Sequence, residues 1–487
     1  TWQVPGGRWN EPEQAIRDLQ ACFDARLATE EAAPYQLLAD ALKALKKDGE
    51  LVGRLEELRA ADPDNPWLAY FLAETYFEAK RLDQAEKLYR ELAAKKPAVI
   101  GYHNLVQIYR RGDRYGDLVT VLGDAVGKLG TLDPLASKGK TLAEDGELVR
   151  GVVEAARKQI KADPKSVPYQ ARLAVGLLAA DAKQWDTAGE FFDLAIKSQP
   201  DQAAKVLLTW GLGLLLKEEN ARAVKVLQRG IDEKALPADD PTFPFYLAGA
   251  LELAGQTGPA LAAARKAVEL AERRLSGPQA KEAREELPRY LNRVAWILYH
   301  AKRYDEAIKA YEQLLVKFGN EYGSGEIRGA VRETRLVLSN IAVLTSNLPA
   351  AEEWLEQVLD EFPDDASALN DLGYLWADQG KHLDRACRMI RRALEREPDN
   401  AAYRDSLGWV LFRKGKVAEA LHELEKAAAK ESDPTVLEHL GDAYRAAGQA
   451  EKAKEAWRKA AEAYRQTHEE QKATKVEEKI KGLGIRD

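Results

Sequence analysis

Apolar residues recur along most of this chain at the three- and four-residue spacing of amphipathic helices. Leu369, Leu372 and Trp376 follow this spacing, and Met389 and Ala393 resume it after a short polar break. Such a period places the apolar side chains on one face of each helix, where a neighbouring element must cover them. The pattern predicts an all-α protein built from short helices that pack in pairs.

Helix start and stop signals agree with this pattern. Asn65 precedes Pro66 and Asp433 precedes Pro434, as expected of an N-cap followed by proline in the first helical turn. Gly415 lies where a first helix must end and the chain must turn. The predicted unit is therefore a helix, a tight turn and a second helix.

This unit repeats. Ala39 and Ala73 are 34 residues apart, and Gly408 and Gly441 are 33 apart. Within a repeat, a small residue is followed twelve positions later by alanine, in the pairs Ala73/Ala85, Gly176/Ala188, Gly211/Ala223, Ala248/Ala260, Ala295/Ala307, Ser339/Ala351, Gly408/Ala420 and Gly441/Ala453. Twelve residues span a helix and its turn, so we expect each pair to meet where two antiparallel helices cross.

These residues resemble the tetratricopeptide family, whose pattern is a small residue at position eight, alanine at twenty and twenty-seven, and proline near thirty-two. Residues 67–97, 169–200 and 366–398 follow most of it, and residues 369–464 resemble repeats common in bacterial multi-repeat proteins. The resemblance implies a right-handed α-solenoid of about twelve stacked antiparallel helix pairs. The predicted pairs begin near Pro34, Pro66, Val99, Leu135, Tyr169, Ala204, Pro241, Pro288, Arg332, Ala366, Ala401 and Pro434.

The repeats divide the chain into predicted segments. Because the spacing between equivalent alanines grows in two places, we expect extra residues there, the second set forming a loop. The segments are an N-terminal stretch with a leading helix (1–33), a first array (34–318) with a weak repeat near 135–165, a loop insertion (319–331), a second array (332–466), and a capping helix with a tail (467–487).

Composition and charge exclude several classes of function. The 487 residues carry a formal net charge of −7, which gives no attraction for nucleic acid. Cys22 and Cys387 are the only cysteines, and no two histidines share a helical i, i+3 or i+4 spacing, so neither a disulfide framework nor a metal site is predicted. Residues 206–216, the longest apolar stretch, are too short to span a bilayer.

The chemistry of catalysis is also missing from the sequence. Gly319, Gly323 and Gly325 lack the Lys-Ser/Thr ending of a phosphate-binding loop, and no nucleophile elbow, zinc motif or calcium loop is present. We therefore expect a non-enzyme without a cofactor. Since the chain starts at Thr1, we expect that its natural start was removed, and the compartment stays open between the cytoplasm and, after loss of a signal, the periplasm.

The resemblance implies that first helices line a concave groove, through positions two, five, six, nine, twelve and thirteen of each repeat. In the C-terminal half the predicted partner-binding residues are Asn292, Trp296, Tyr299, Asn340, Asn370, Tyr374, Trp409, Phe412, Arg413, His439, Asp442 and Arg445. A secondary groove near the N-terminus would hold Tyr70, Glu74, His103, Gln107 and Arg110. Leucines take these positions between 173 and 216, so the middle groove is either apolar or closed.

Aromatic and arginine side chains most often dominate the binding energy of protein interfaces, which favours a binding role for these residues. The competing interpretation is that some of the rings only fill space between repeats. The favoured function is a non-catalytic scaffold that binds a segment of a protein partner in the groove. Alternatives are the accessory array of an enzyme whose catalytic domain lies upstream, and binding of an envelope glycan or polymer. If the groove is right, replacing Trp409 and Tyr374 by alanine should weaken partner capture and leave melting nearly unchanged.

Overall fold

The computed structural model describes residues 12–25, 31–136, 139–430 and 432–483 of the chain. Within these ranges it contains twenty-five α-helices and no β-strand, so the predicted all-α class is confirmed for the described chain. The chain forms two compact units, unit 1 ending at Pro237 and unit 2 beginning at Ala238. Residues 1–11 and 26–30 of the predicted N-terminal segment, and residues 484–487 of the predicted tail, lie outside the described residues.

Unit 1 is a stack of antiparallel helix pairs preceded by one leading helix. Its helices are α1 (Pro12–Asp24), α2 (Ala33–Ala44), α3 (Leu51–Ala61), α4 (Pro66–Glu78), α5 (Leu82–Lys95), α6 (Val99–Arg111), α7 (Tyr115–Leu129), α8 (Gly146–Ala162), α9 (Tyr169–Asp181), α10 (Trp185–Ser198), α11 (Ala203–Leu216) and α12 (Asn220–Asp232). Four short 3₁₀ turns lie between them, at Asp48–Glu50, Asp133–Leu135, Leu142–Glu144 and Pro200–Gln202.

Unit 2 continues the same alternation of first and second helices and ends in a single helix. Its helices are α13 (Thr242–Leu253), α14 (Thr257–Arg274), α15 (Ala280–His300), α16 (Tyr304–Phe318), α17 (Gly325–Leu344), α18 (Leu348–Glu361), α19 (Ala366–Gln379), α20 (Leu383–Arg396), α21 (Ala401–Arg413), α22 (Val417–Lys430), α23 (Pro434–Ala446), α24 (Ala450–Gln466) and α25 (Glu470–Leu483). The last of these lies within the range predicted for a capping helix.

The caps predicted from sequence close the helix ends. The Asn65 side-chain oxygen accepts a hydrogen bond from the Leu68 N–H at 3.1 Å, and Asp433 accepts one from the Thr435 N–H at 2.7 Å. Gly415 turns the chain after α21 with a φ of 76°, a conformation that costs glycine little. Short range signals therefore fix where these helices begin and end.

The small residues at repeat position eight lie at the helix crossings, as predicted. Ser339 Oγ donates to the carbonyl of Ala351 at 3.1 Å, twelve residues on. A Cβ placed on Gly408 would lie 3.3 Å from the Ala420 carbonyl and 2.5 Å from the Leu424 side chain, sixteen residues on. The missing side chain thus makes room for a large residue of the second helix.

The predicted helix pair near Leu135 is wrong. Gly130 ends α7 with a φ of 83°, and Pro134 and Gly139 follow so closely that only 3₁₀ turns form before α8. α8 therefore has no first helix of its own, and α7 packs directly on α9. A Cβ on Gly123 would lie only 2.6 Å from Cα of Ala171. The described residues consequently hold eleven pairs, with α1, α8 and α25 as single helices.

The predicted loop insertion at 319–331 is mostly helix. Only residues 319–324 separate α16 from α17, and the remainder lengthens α17 to twenty residues. Ser324 caps this helix by accepting from the Ile327 N–H at 3.4 Å. Ile327 and Val331 are buried, so the added turn gains apolar contacts that a loop would lack.

Candidate functional site

Unit 2 contains a groove lined by first helices of successive pairs, with a volume of about 800 Å³. We call it the unit 2 groove. Its lining residues are Trp296, Tyr299, His300, Glu333, Leu336, Val337, Ser339, Asn340, Val343, Leu348, Leu355, Ser367, Asn370, Asp371, Tyr374, Leu375, Asp378, Ala402, Asp405, Ser406 and Thr435. Five of the predicted partner-binding residues lie together in it, namely Trp296, Tyr299, Asn340, Asn370 and Tyr374.

Helix α15 contributes aromatic rings to the groove. The rings of Trp296 and His300 meet edge to face with centroids 4.2 Å apart, and Tyr299 lies 6.0 Å from Trp296. Asn340 of α17 donates from Nδ2 to the Tyr299 hydroxyl at 3.0 Å, which joins neighbouring first helices. Because His300 Nδ1 lies 2.7 Å from Glu252 Oε1, that imidazole is already engaged within the unit.

Helix α19 contributes an amide and a carboxylate. Asn370 donates from Nδ2 to Asp371 Oδ1 at 3.1 Å, while its own buried Oδ1 accepts no hydrogen bond in the described structure. Solvent reaches the Asp371 side chain from the groove, yet the surrounding walls desolvate it. This desolvation, together with the nearby charge of Asp365, raises the pKa of Asp371 despite the hydrogen bond from Asn370.

Tyr374 stands beside these two residues on α19. Its ring centroid lies 6.2 Å from that of His439, which belongs to α23. Burial, and then the charges of Asp378 and Asp405, raise the pKa of Tyr374 well above the usual tyrosine range. The phenol is therefore a neutral hydrogen-bonding group at physiological pH, with an apolar ring available for contact.

Carboxylates are the feature of the groove that the sequence prediction missed. Glu333, Asp371, Asp378 and Asp405 line it, whereas none of the described lining residues is lysine or arginine. Their signal was present, since they occupy positions two, six, thirteen and five of their repeats, the positions that the family resemblance implies. The sequence alone does not distinguish them, because the chain has 79 acidic residues and any single carboxylate is therefore uninformative.

Two predicted partner-binding residues lie in the interior of unit 2. Trp409 is 9% exposed, and its ring stacks on His439 with centroids 4.0 Å apart and an interplanar angle of 14°. His439 is also buried and directs Nδ1 to both carboxylate oxygens of Asp405 at 3.1 Å. The Phe412 ring also stacks on Trp409, with centroids 5.2 Å apart. This stack joins α21 to α23, so the space-filling interpretation holds for Trp409 and His439.

Other predicted residues have partners within the chain. Arg413 donates to the main-chain carbonyl of Asp378, and Asp442 accepts from Trp457 Nε1 at 3.0 Å and from Lys479 of α25 at 2.8 Å. The last first helix is thus covered by α25. Asn292, half-buried on α15, and Arg445, exposed at the end of α23, do not line the groove.

The secondary groove residues of unit 1 lie on α4 and α6. The Tyr70 hydroxyl donates to the Lys96 carbonyl at 2.6 Å, and Glu74 is exposed with a pKa raised by desolvation and by the charge of Glu78. His103 and Gln107 are half-buried. The structure places these side chains on successive first helices without assigning them a ligand.

Arg110 differs from its neighbours because its guanidinium is already paired. Nε lies 2.8 Å from Asp145 and Nη2 lies 2.6 Å from Glu147, both at the start of α8. These hydrogen bonds raise the arginine's already high pKa further. Arg110, predicted to line the secondary groove, therefore pairs with carboxylates at the start of the chain's own helix α8.

Four sequence models, each described as tetratricopeptide repeat, match this chain at residues 52–108, 288–320, 338–384 and 371–471. The chain belongs to the tetratricopeptide-repeat superfamily. The TPR repeat-containing protein PA4667 of Pseudomonas aeruginosa is 38% identical to it over 104 residues, which cover 21% of this chain and 18% of that protein. The match thus spans less than a fifth of the relative's length.

Solved structures also resemble this tetratricopeptide-repeat chain. A tetratricopeptide repeat protein from Parabacteroides merdae is 16% identical, with 56% of this chain and 98% of that one covered and a TM-score of 0.42. A chain of the APC/C hetero-tetramer Cut9-Hcn1 is 13% identical, with 97% of this chain and 93% of that one covered and a TM-score of 0.40. At these scores neither likeness bears on function.

Membership in this superfamily makes a protein-interaction scaffold the general expectation, since stacked repeats present extended binding surfaces and are typically non-catalytic. No helix in the described ranges combines the length and the apolar character needed to cross a bilayer.

Proposed function

We propose that this tetratricopeptide-repeat chain is a non-catalytic scaffold that holds a segment of a partner protein in the unit 2 groove. The observation that carries the proposal is the convergence of five first helices, from α15 to α23, on one continuous groove. A segment lying there would contact several repeats at once. Helices that are already packed need little ordering on binding, which favours affinity.

The lining suits a peptide better than a small molecule. Val343 is 43% exposed on the groove wall, and the rings of Trp296 and Tyr299 offer rigid apolar contact area beside it. Asn370 and Asp371 add polar groups able to pair with a peptide's amides or side chains. Apolar anchors next to a few polar groups are typical of protein-binding surfaces.

Blocking the groove with bulk tests this proposal without changing its charge. Asn340→Trp fills the groove at an exposed lining position, and Glu356→Trp adds the same ring to the exposed surface of the second helix α18. Each form is used to capture proteins from cells of the native organism, followed by mass spectrometry. We expect the partners of the unmodified chain to be retained by Glu356→Trp and lost by Asn340→Trp. Full retention by Asn340→Trp contradicts the proposal.

A further inference from the structure

Carboxylates on the last two first helices of unit 2, α21 and α23, meet a basic side chain supplied by the next first helix or by α25. Asp405 of α21 is paired with His439 of α23, at 3.1 Å. Glu438 and Asp442 of α23 are paired with Lys479 of α25, at 2.7 and 2.8 Å. At these two places, carboxylates of first helices therefore bind basic groups of this chain.

Asp371 of helix α19 departs from this rule. Asp371 accepts a hydrogen bond from the neighbouring Asn370, and no basic side chain of the described residues forms an ion pair with it. Asp378 is 60% exposed and lies 3.9 Å from the Arg413 guanidinium, which donates its hydrogen bond to the Asp378 main-chain carbonyl instead. Asp371 is thus the α19 groove carboxylate that has no ion pair among the described residues, whereas Asp378 has Arg413 of the next first helix nearby.

A buried acceptor beside these carboxylates also lacks a donor. Asn370 is only 7% exposed and lines the groove, and its Oδ1 accepts no hydrogen bond in the described structure. A buried amide oxygen left without a hydrogen-bond donor is unfavourable. A ligand with several N–H donors on one cation would satisfy this oxygen and the Asp371 carboxylate together.

We propose that the unit 2 groove takes a lysine- or arginine-bearing peptide segment of its partner, with the cation between Asp371 and Asn370 and apolar side chains against Val343 and Tyr374. This inference rests on the proposed function and specifies the partner's chemistry. Lys479 provides the precedent within the same unit, because its ammonium group already lies between two carboxylates of the first helix α23. An acidic segment would instead face like charges without a cation in the lining.

Selection from a phage-displayed random peptide library on the full chain tests the inference. We expect the selected peptides to be enriched in lysine and arginine. Asp371→Asn, which keeps the shape of the side chain, should weaken their binding roughly tenfold or more, the effect of losing one charge-assisted hydrogen bond. Asp371→Glu, which keeps the charge, should retain the preference for basic peptides. The control Asp360→Asn, at an exposed aspartate of α18, should bind as the unmodified chain does.

The possible failures are distinguishable. The inference is overturned if Asn340→Trp abolishes binding of the selected peptides but those peptides are not basic. It is also overturned if Asn340→Trp abolishes their binding but Asp371→Asn leaves it unchanged. In both cases the groove remains a binding site. Peptides whose binding survives Asn340→Trp, or a selection that yields no binding peptide, contradict both the inference and the proposed function.

Discussion

Individual glycines decide how closely the two helices of a pair approach. Gly176 lies against the ring of Phe192 and Gly211 lies against Leu227, in each case sixteen residues later in the chain. The small residue and the large one are thus a matched set. The sequence revealed the small residue and the alanine twelve positions on, whereas the large residue filling the gap emerged only from the packing.

Replacing Gly176 by alanine should destabilise unit 1 by about 1–3 kcal/mol, the usual effect of overpacking. The added Cβ would lie 2.9 Å from the Phe192 ring, and that ring is enclosed. Gly213→Ala is the matched control, because its Cβ would have no neighbour within 4 Å. Helix propensity predicts that the control gains up to about 1 kcal/mol. Urea unfolding followed by circular dichroism measures both, and equal effects would contradict the packing explanation.

Trp409 gives a second test at this scale, and the structure reverses the expectation drawn from the sequence. A buried ring that stacks on both His439 and Phe412 cannot be removed without leaving a cavity. Trp409→Ala should therefore lower the free energy of unfolding by about 3–5 kcal/mol rather than leave melting unchanged. Trp409→Phe keeps most of the stack and removes a buried Nε1–H that has no acceptor, so it should cost far less. Similar melting of both variants would place the ring outside the core.

Helices of unit 2 are joined by charged side chains as well as by apolar contacts. Glu361 at the end of α18 accepts from Arg328 and Arg335 of α17, both at 2.9 Å. Burial acts to raise the pKa of Glu361, but the two guanidinium groups outweigh burial and hold it below its ordinary value. The pair α17/α18 therefore depends on this carboxylate being ionised.

The pH dependence of stability follows from that lowered pKa. A carboxyl group whose pKa is lower in the folded than in the unfolded state stabilises the protein at pH values above its unfolded-state pKa, about 4.3 for glutamate. This stabilisation is lost as the pH falls through the folded-state pKa. Glu361→Gln should cost about 1.5–3 kcal/mol near neutral pH, and the difference from the unmodified chain should shrink below about pH 4.3. Urea unfolding at several pH values checks this. A difference independent of pH would mean that Glu361 acts by packing alone.

The capping helix α25 binds the first helix α23 at one end of unit 2. Lys479 of α25 inserts between Glu438 and Asp442, and Asp442 also holds the indole of Trp457. Burial lowers the pKa of Lys479, but these hydrogen bonds prevail and raise it, so the ammonium form is favoured. Partner binding is therefore expected away from Glu438 and Asp442 of α23, in the groove lined by α15 to α21 and by Thr435.

How much of the molecule could be predicted depends on the range of the interactions involved. Helices with a local cap, such as those after Asn65 and Asp433, follow from a few neighbouring residues. The absence of a first helix near Leu135 was not predicted. The repeat period suggested a helix there, but the nearby glycines and proline prevent one. The interior position of Trp409 was equally hidden, because His439 reaches it from the following repeat.

On the scale of the whole molecule, two compact stacks of helix pairs carry a net negative charge, and the chain is a tetratricopeptide-repeat protein. The repeats could be recognised from spacing alone. The acidic character of the unit 2 groove could not, because it depends on which of many carboxylates face inward. Both the proposed function and the proposed partner chemistry depend on this groove.

Photo-crosslinking from one groove residue tests that central claim most directly. A photoreactive amino acid replaces Val343, 43% exposed on the groove wall, or Val316, 90% exposed on the second helix α16. Both chains are irradiated in cells of the native organism, and crosslinked proteins are identified by mass spectrometry. We predict a discrete partner joined through a basic segment at position 343 and none at position 316. Equal crosslinking from the two positions, or crosslinking from 316 alone, would contradict a partner held in the groove.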